Sequence, residues 1–262
     1  MRFGPLLAAE FRKTATLPAA WAGVAVALLG SAGITVLNAI SARAAIAAGH
    51  PELRAFTSVF QTGYAAAPLG TVGAIVIGVV AIGSEYTSNN ADAGGGRQVT
   101  TTLAAIPHRT GLLAAKALTV VLLAVTTAAL TIPACVGIAA LVIGDATRET
   151  VTLDEALTRS LGAALYWTLM GLIAFAVTVV TRSGMFPLIA LIANSSLVSV
   201  SLLLTRLTPL AFWLPDMAGR RLFGGLSTVE GGLDAGAGAI VMAAWTLALL
   251  ATAATVFSRR DA

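Results

Sequence analysis

Charge is what this sequence has least of. Of its 262 residues only 11% are Asp, Glu, Lys or Arg, where soluble domains run at about 25%. Hydrophobic residues make up 57%, and the mean hydropathy is +0.89. Water is thereby excluded as the main solvent. Cysteine is nearly absent as well: Cys135 stands alone, so no intrachain disulfide forms, and its place within an apolar run reads as a small buried hydrophobe. The two histidines, His50 and His108, fall in loops expected on opposite sides of a membrane and cannot share a metal. No zinc spacing accompanies them. Gly94-Gly95-Gly96-Arg97 has no Lys-Ser or Lys-Thr behind it to hold a phosphate and its magnesium. With no Gly-x-Ser-x-Gly elbow either, the chain shows no catalytic constellation, and a non-catalytic protein is expected.

What the sequence does have is apolar length. A helix crosses a bilayer in roughly 20 residues. Six runs reach that: Leu17 to Ile40, Ala65 to Gly83, Leu112 to Ile143, Leu161 to Val180, Met185 to Leu204 and Gly236 to Phe257. An all-α, polytopic membrane protein with six transmembrane helices follows. The first run is too long for a signal-peptide core of about 7–15 residues, and Glu10 ill fits a basic leader, so it reads as a span. The third exceeds what one span needs. Lys116 there is expected to extend its ammonium back to the headgroups, and Pro133 to kink the outer part.

Basic residues set the orientation. One side of a six-span protein would carry Arg2, Arg12, Lys13, Arg97, Arg109, Lys116, Arg182, Arg259 and Arg260, nine of 16, against four acids; the other side would carry seven basic residues and eight acids. Positive charge stays inside, so both termini are expected in the cytoplasm. Topology accounts for the pI of about 9.8 without a nucleic-acid partner, which needs a basic patch on one folded face. Fourteen Arg to two Lys in an alanine-rich chain is the usage of a GC-rich bacterium.

Residues 1 to 16, with Phe3, Leu6, Leu7 and Phe11 beside Glu10, Arg12 and Lys13, read as an interfacial helix. Thr152 is placed to cap a helix through Glu155. Thr181 to Gly184 makes a tight turn between the fourth and fifth spans. The segment 206–235, with Phe212, Trp213 and two prolines, reads as partly re-entrant on the outer side, and 258–262 as a cytoplasmic tail. The polar loop 84–111 between spans two and three is suited to a soluble partner. The spans themselves lack the mid-membrane ionisable residues that ion-driven carriers keep. Energy is therefore expected from another subunit. In the fifth span Asn194, Ser201 and Thr205 fall on one helical face, as the wall of a substrate path or as a packing seam.

Several residues together resemble the ABC-2 type permease, the membrane subunit of ATP-binding-cassette exporters (type V exporter-like). These are Glu10-Phe11-Arg12-Lys13 before the first span, Glu85-Tyr86 after the second, and Leu103-x-x-x-Pro107-x-Arg109 with Lys116 entering the third. Phe257-x-Arg259-Arg260-Asp261 closes the chain. The resemblance implies that Gln98 to Ile106 forms a coupling helix in a groove of the ATPase, with Glu85, Arg97, Gln98, Thr100, Leu103, Pro107 and Arg109 as its coupling residues. The usual Gly-Thr pair is displaced, since Gly96 precedes Arg97. It further implies ATPase subunits as partners, a second permease like or unlike this one, and ATP and Mg held by the ATPase with no cofactor in this chain. Placement in the bacterial inner membrane and export of a hydrophobic or amphipathic small molecule, drug or peptide antibiotic complete the expectation. A secondary transporter or channel is the alternative.

Overall fold

The computed structural model describes residues 3–50, 56–86, 109–147, 150–197, 199–226 and 231–259. Among them every regular element is helical. Five helices are long and apolar enough to cross a membrane: α2 (Pro18–Ala47), α3 (Val59–Tyr86), α4 (Arg109–Ala146), α5 (Leu153–Thr181) and α9 (Ala235–Arg259). A short α1 (Phe3–Ala15) precedes them. Between α5 and α9 lie α6 (Met185–Ile192), α7 (Val200–Leu204) and α8 (Pro215–Ala218). The chain is a helical, multi-pass membrane protein. The physical reason is that hydrocarbon offers a backbone no partners, so each crossing segment must satisfy its own N–H and C=O groups.

Burial separates the centre from the rim. In the most apolar window of each helix, 78% of α5 and 67% of α3 is buried, against 22 to 33% for α2, α4 and α9. α3 and α5 are thus the core pair, and the others turn broad apolar faces outward, including Leu29, Leu37, Leu130 and Leu247. Small residues let the core pair approach. A Cβ on Gly78 would lie 2.0 Å from the carbonyl oxygen of Gly171, and one on Gly70 would strike the ring of Trp167. Trp167 is wholly buried and donates its indole N–H to the Ala67 carbonyl at 3.1 Å.

Two ends can be told apart. Leu6, Ile82, Leu112, Val179 and Phe257 share one core cluster, which gathers α1, the end of α3, the start of α4 and the ends of α5 and α9 at one end of the bundle, called here the charged end. Ala39, Ala42, Ala139 and Ile143 cluster at the other. The described chain therefore begins and finishes at the charged end. α4 extends for 35 α-helical residues to Ile143, about 52 Å at 1.5 Å per residue, and Pro133 lies inside it without ending it.

One expected span is not a single helix. Met185 to Leu204 divides into α6, a π-turn at Ala193–Leu197, extended backbone at Ser199 and then α7. The eight residues of α6 rise about 12 Å, less than half of a hydrocarbon core of about 30 Å. The cause is local polarity, because Asn and Ser side chains offer backbone groups alternatives to the helical ladder. Ser199 caps α7 by accepting the Leu202 N–H at 3.2 Å, and Asn194 Oδ1 accepts the Ser201 N–H at 3.1 Å. After α7 the chain continues in short helical turns, Pro209–Trp213, α8 and Gly219–Leu226. These pack on α5 and α9: a Cβ on Gly162 would sit 2.2 Å from the Leu222 carbonyl oxygen, and one on Gly238 2.0 Å from that of Ala218.

Candidate functional site

At the charged end four ionisable side chains from three helices meet inside the protein. α1 buries Leu6, Glu10 and Thr14, one face at four-residue spacing, while Phe3 and Phe11 stay exposed. That face brings Glu10 Oε2 to 2.5 Å from Lys116 Nζ on α4. Lys116 Nζ also lies 2.8 Å from Glu85 Oε1 at the end of α3, and 3.3 Å from the Ala81 carbonyl oxygen. Lys13 of α1 reaches the same Glu85 oxygen at 2.5 Å. The side chains of Lys116 and Glu85 are 0% exposed and that of Glu10 is 5% exposed, whereas Lys13, at 26%, reaches solvent.

This corrects the snorkelling expected of Lys116. Its ammonium does not return to the headgroups because two carboxylates inside the bundle supply the charge-assisted bonds that water would otherwise give. The four groups sum to zero formal charge, which is the condition for tolerating ions so deeply desolvated.

Of the seven coupling residues expected from the sequence, Arg97, Gln98, Thr100, Leu103 and Pro107 lie outside the described residues. Glu85 and Arg109 bound the segment between α3 and α4. Glu85, wholly buried, does not present its carboxylate to a soluble partner; it fastens the end of α3 to α1 and α4. Arg109 Nη1 donates to the carbonyls of Phe257 and Ser258 at 3.4 and 3.5 Å, tying the start of α4 to the end of α9. Both ends of the 87–108 segment are therefore anchored in a charge-stitched platform.

In the other half of the bundle the break after α6 collects a second set of polar groups. Asn194 and Ser201 do not share one face of a continuous helix, because the helix stops between them. The break instead brings them into direct contact, with Ser201 Oγ 3.2 Å from Asn194 Oδ1. Thr205 goes elsewhere, donating to the Leu202 carbonyl at 2.6 Å. Asn194 Nδ2 donates to Asp216 Oδ2 of α8 at 2.8 Å. One amide thus joins α6, α7 and α8. Around it is a cavity of about 130 Å3 whose lining includes Thr71, Tyr166, Ser195, Asp216 and Arg220.

Asp216, Arg220 and Tyr166 are functional candidates that sequence reasoning missed. Asp216 and Arg220 belong to the segment read as partly re-entrant on the outer side, whereas Tyr166 lies in the fourth apolar run, five residues, about 7.5 Å, past its start at Leu161. A signal was present in Pro209 and Pro215, which start helical turns in a stretch too apolar for a solvated loop. Leucine in place of Asn194 should leave the Ser201 N–H and the Asp216 carboxylate short of a partner, at about 1–3 kcal/mol for each buried group. A clearly lowered melting temperature in detergent is the expected result. An unchanged one would mean that the amide does not hold the break.

Among the described residues no group of three or more His, Cys, Asp or Glu is placed to hold a metal ion. Comparison with protein-family models and with curated proteins gave no match to this chain.

Proposed function

We propose that this chain is the membrane subunit of an ATP-driven exporter of the ABC-2 permease type. In this reading it has six membrane segments, the fifth broken, and moves a hydrophobic or amphipathic molecule out of the cell or its inner membrane. The observation that carries the reading is the charged-end platform: α1, α3 and α4 are locked together by buried ion pairs at the base of the polar 87–108 segment. A segment anchored at both ends is suited to receiving a push from a soluble subunit and passing it to the helices. With the platform cytoplasmic, the positive-inside excess is on the correct side. ATP and Mg would be held by two ATPase subunits, and a second permease, identical or related, would complete the assembly. No phosphate loop is present in the sequence, so this chain alone should neither bind nor hydrolyse ATP.

The test is co-expression with candidate ABC ATPases of the same genome, beginning with any encoded beside this chain. A complex that survives purification from membranes is expected, and Leu103→Asp should dissociate or uncouple it without altering the melting temperature of the permease. A complex with unchanged substrate-stimulated ATPase activity in that variant would remove the docking assignment, and failure of any ATPase to bind the native chain would remove the reading itself.

A secondary transporter is the second reading, favoured by one observation: Asp216 and Arg220 line a cavity inside the bundle, where ionisable groups mark substrate or ion paths. Uptake or release by proteoliposomes holding this chain alone, driven by a pH gradient, would favour it.

A further inference from the structure

Of the residues of α1 only Leu6, Glu10 and Thr14 are buried, so a single apolar side chain ties this helix into the core cluster of the charged end. The rest of its grip is chiefly ionic. Two ion pairs cross from α1 to the bundle, Glu10 to Lys116 and Lys13 to Glu85, both at 2.5 Å, while Glu85 and Lys116 face one another at 2.8 Å within the bundle. The four charges therefore divide into two neutral halves. α1 carries Glu10 and Lys13, which stand three residues apart and so are neighbours on a helix surface, able to pair with each other. The bundle carries Glu85 and Lys116, which keep their mutual pair when α1 leaves. Taking one partner from a buried ion pair strands a charge, whereas taking α1 away as a unit leaves every carboxylate and every ammonium an opposite partner in its own half.

The connection to α2 permits such a movement. Thr16 and Leu17 alone lie between the two helices, and Leu17 is extended, with φ −78° and ψ 123°, as a residue before proline favours. Pro18 has no N–H with which to continue the ladder. The Trp21 indole donates to the Ala15 carbonyl at 2.8 Å and so marks a pivot at the end of α1. Outside the bundle the helix also has a place to lie. Phe3 and Phe11 are already exposed on its other face, with Arg12 exposed beside them, a pattern suited to the boundary between headgroups and acyl chains. Leu6 loses little there, because lipid tails are as apolar as the protein interior it leaves.

We propose that α1 is a latch on the charged end, which opens as one unit about Thr16 and Leu17 by exchanging its two pairs to the bundle for one pair within itself. Closed, it clamps the end of α3 to the start of α4. Open, it leaves those two ends to their own packing and to the Glu85 and Lys116 pair, so that they can follow a displacement of the 87–108 segment. That the opening belongs to a transport cycle rests on the exporter reading; the opening itself needs only this chain.

Cys135 is the one cysteine of the sequence and is buried, so a Thr14→Cys protein carries one reporter on the latch and one in the bundle. The purified variant in dodecyl maltoside is treated with a charged, water-soluble maleimide, and labelling of each cysteine is followed by peptide mass spectrometry. Position 14 should react slowly under conditions where Cys135 does not, because α1 opens without unfolding of the bundle. Glu10→Lys with Lys13→Glu, added to this variant, makes both crossing contacts like-charged while each half stays neutral. Labelling at position 14 should then accelerate at least about tenfold, the loss expected for one charge-assisted hydrogen bond, with Cys135 still unreactive and the melting temperature near native. Adding Glu85→Lys and Lys116→Glu remakes both contacts with their signs exchanged and should return the slow rate. A reversed protein of native melting temperature that labels no faster than its parent would overturn the proposal, since packing and not charge would then hold α1. So would Cys135 reacting in step with position 14, which would make α1 inseparable from the bundle. In a complex with an ATPase, ATP and Mg should speed the labelling at least about fivefold, the low end of coupling between sites. Labelling indifferent to ATP removes the latch from the cycle and keeps the exporter reading, whereas a chain that releases α1 on charge reversal and recruits no ATPase keeps the latch and removes the exporter.

Discussion

Lys116→Met is expected to cost the folded bundle about 3–5 kcal/mol, the range for removing one partner from a buried ion pair. The substitution preserves length and apolar stem. What it removes is the ammonium that both Glu10 and Glu85 share. Glu85 retains Lys13, whereas Glu10 loses the one ion-pair partner that the described residues give it. Adding Glu10→Gln to Lys116→Met should therefore restore much of the loss, because the remaining Lys13 and Glu85 pair is neutral. Melting temperatures of the two single variants and the double variant form a cycle, and additive losses would show that Glu10 and Lys116 do not stabilise one another. The same cycle, scored for ATPase recruitment, separates a structural role from a coupling one. A double variant that regains stability and not recruitment would place the transmission of force in these charges.

Gly78→Leu should be at least as damaging. Its Cβ alone would stand 2.0 Å from a backbone oxygen of α5, an obstacle that no rotamer change relieves. Ordinary overpacking costs about 1–3 kcal/mol, and here the two most buried helices must separate along their length. Loss of extractable folded protein is expected. Gly137→Leu is the matched control, since nothing lies within 4 Å of a Cβ there and the position is exposed. Equal yields of the two variants would dismiss the close approach of α3 and α5.

The crossing helices were legible because lipid leaves an apolar run so few alternatives. Leu112 to Ile143 and Leu161 to Val180 each lie within one continuous helix. Partners far apart in sequence were not legible. Glu10 and Lys116 are separated by 106 positions, and nothing near either one tells whether a terminal glutamate faces water or an ammonium. Lys116 read as a snorkelling side chain for the same reason. In the fifth run, hydropathy counted Asn194 as one polar residue among many apolar ones, whereas its effect depends on Asp216, 22 positions on, which bonds the amide once the helix has ended. The polar cluster Asn194 to Thr205 was visible; that it breaks the helix instead of lining one was decided by tertiary contact.

The break has an electrical consequence. A helix carries about half a positive charge at its start and half a negative charge at its finish, and ending one at half depth would ordinarily strand that charge in a medium of low dielectric constant. Here the closing carbonyls of α6 and the opening amides of α7 belong to neighbouring turns, so macrodipole ends of opposite sign are brought together. Asn194, whose amide is itself a dipole with a donor and an acceptor end, sits between them with its oxygen toward the amides of α7. The local field of the helix ends is thus largely compensated, which leaves the opposite charges of Asp216 and Arg220 to set the potential in the cavity they both line.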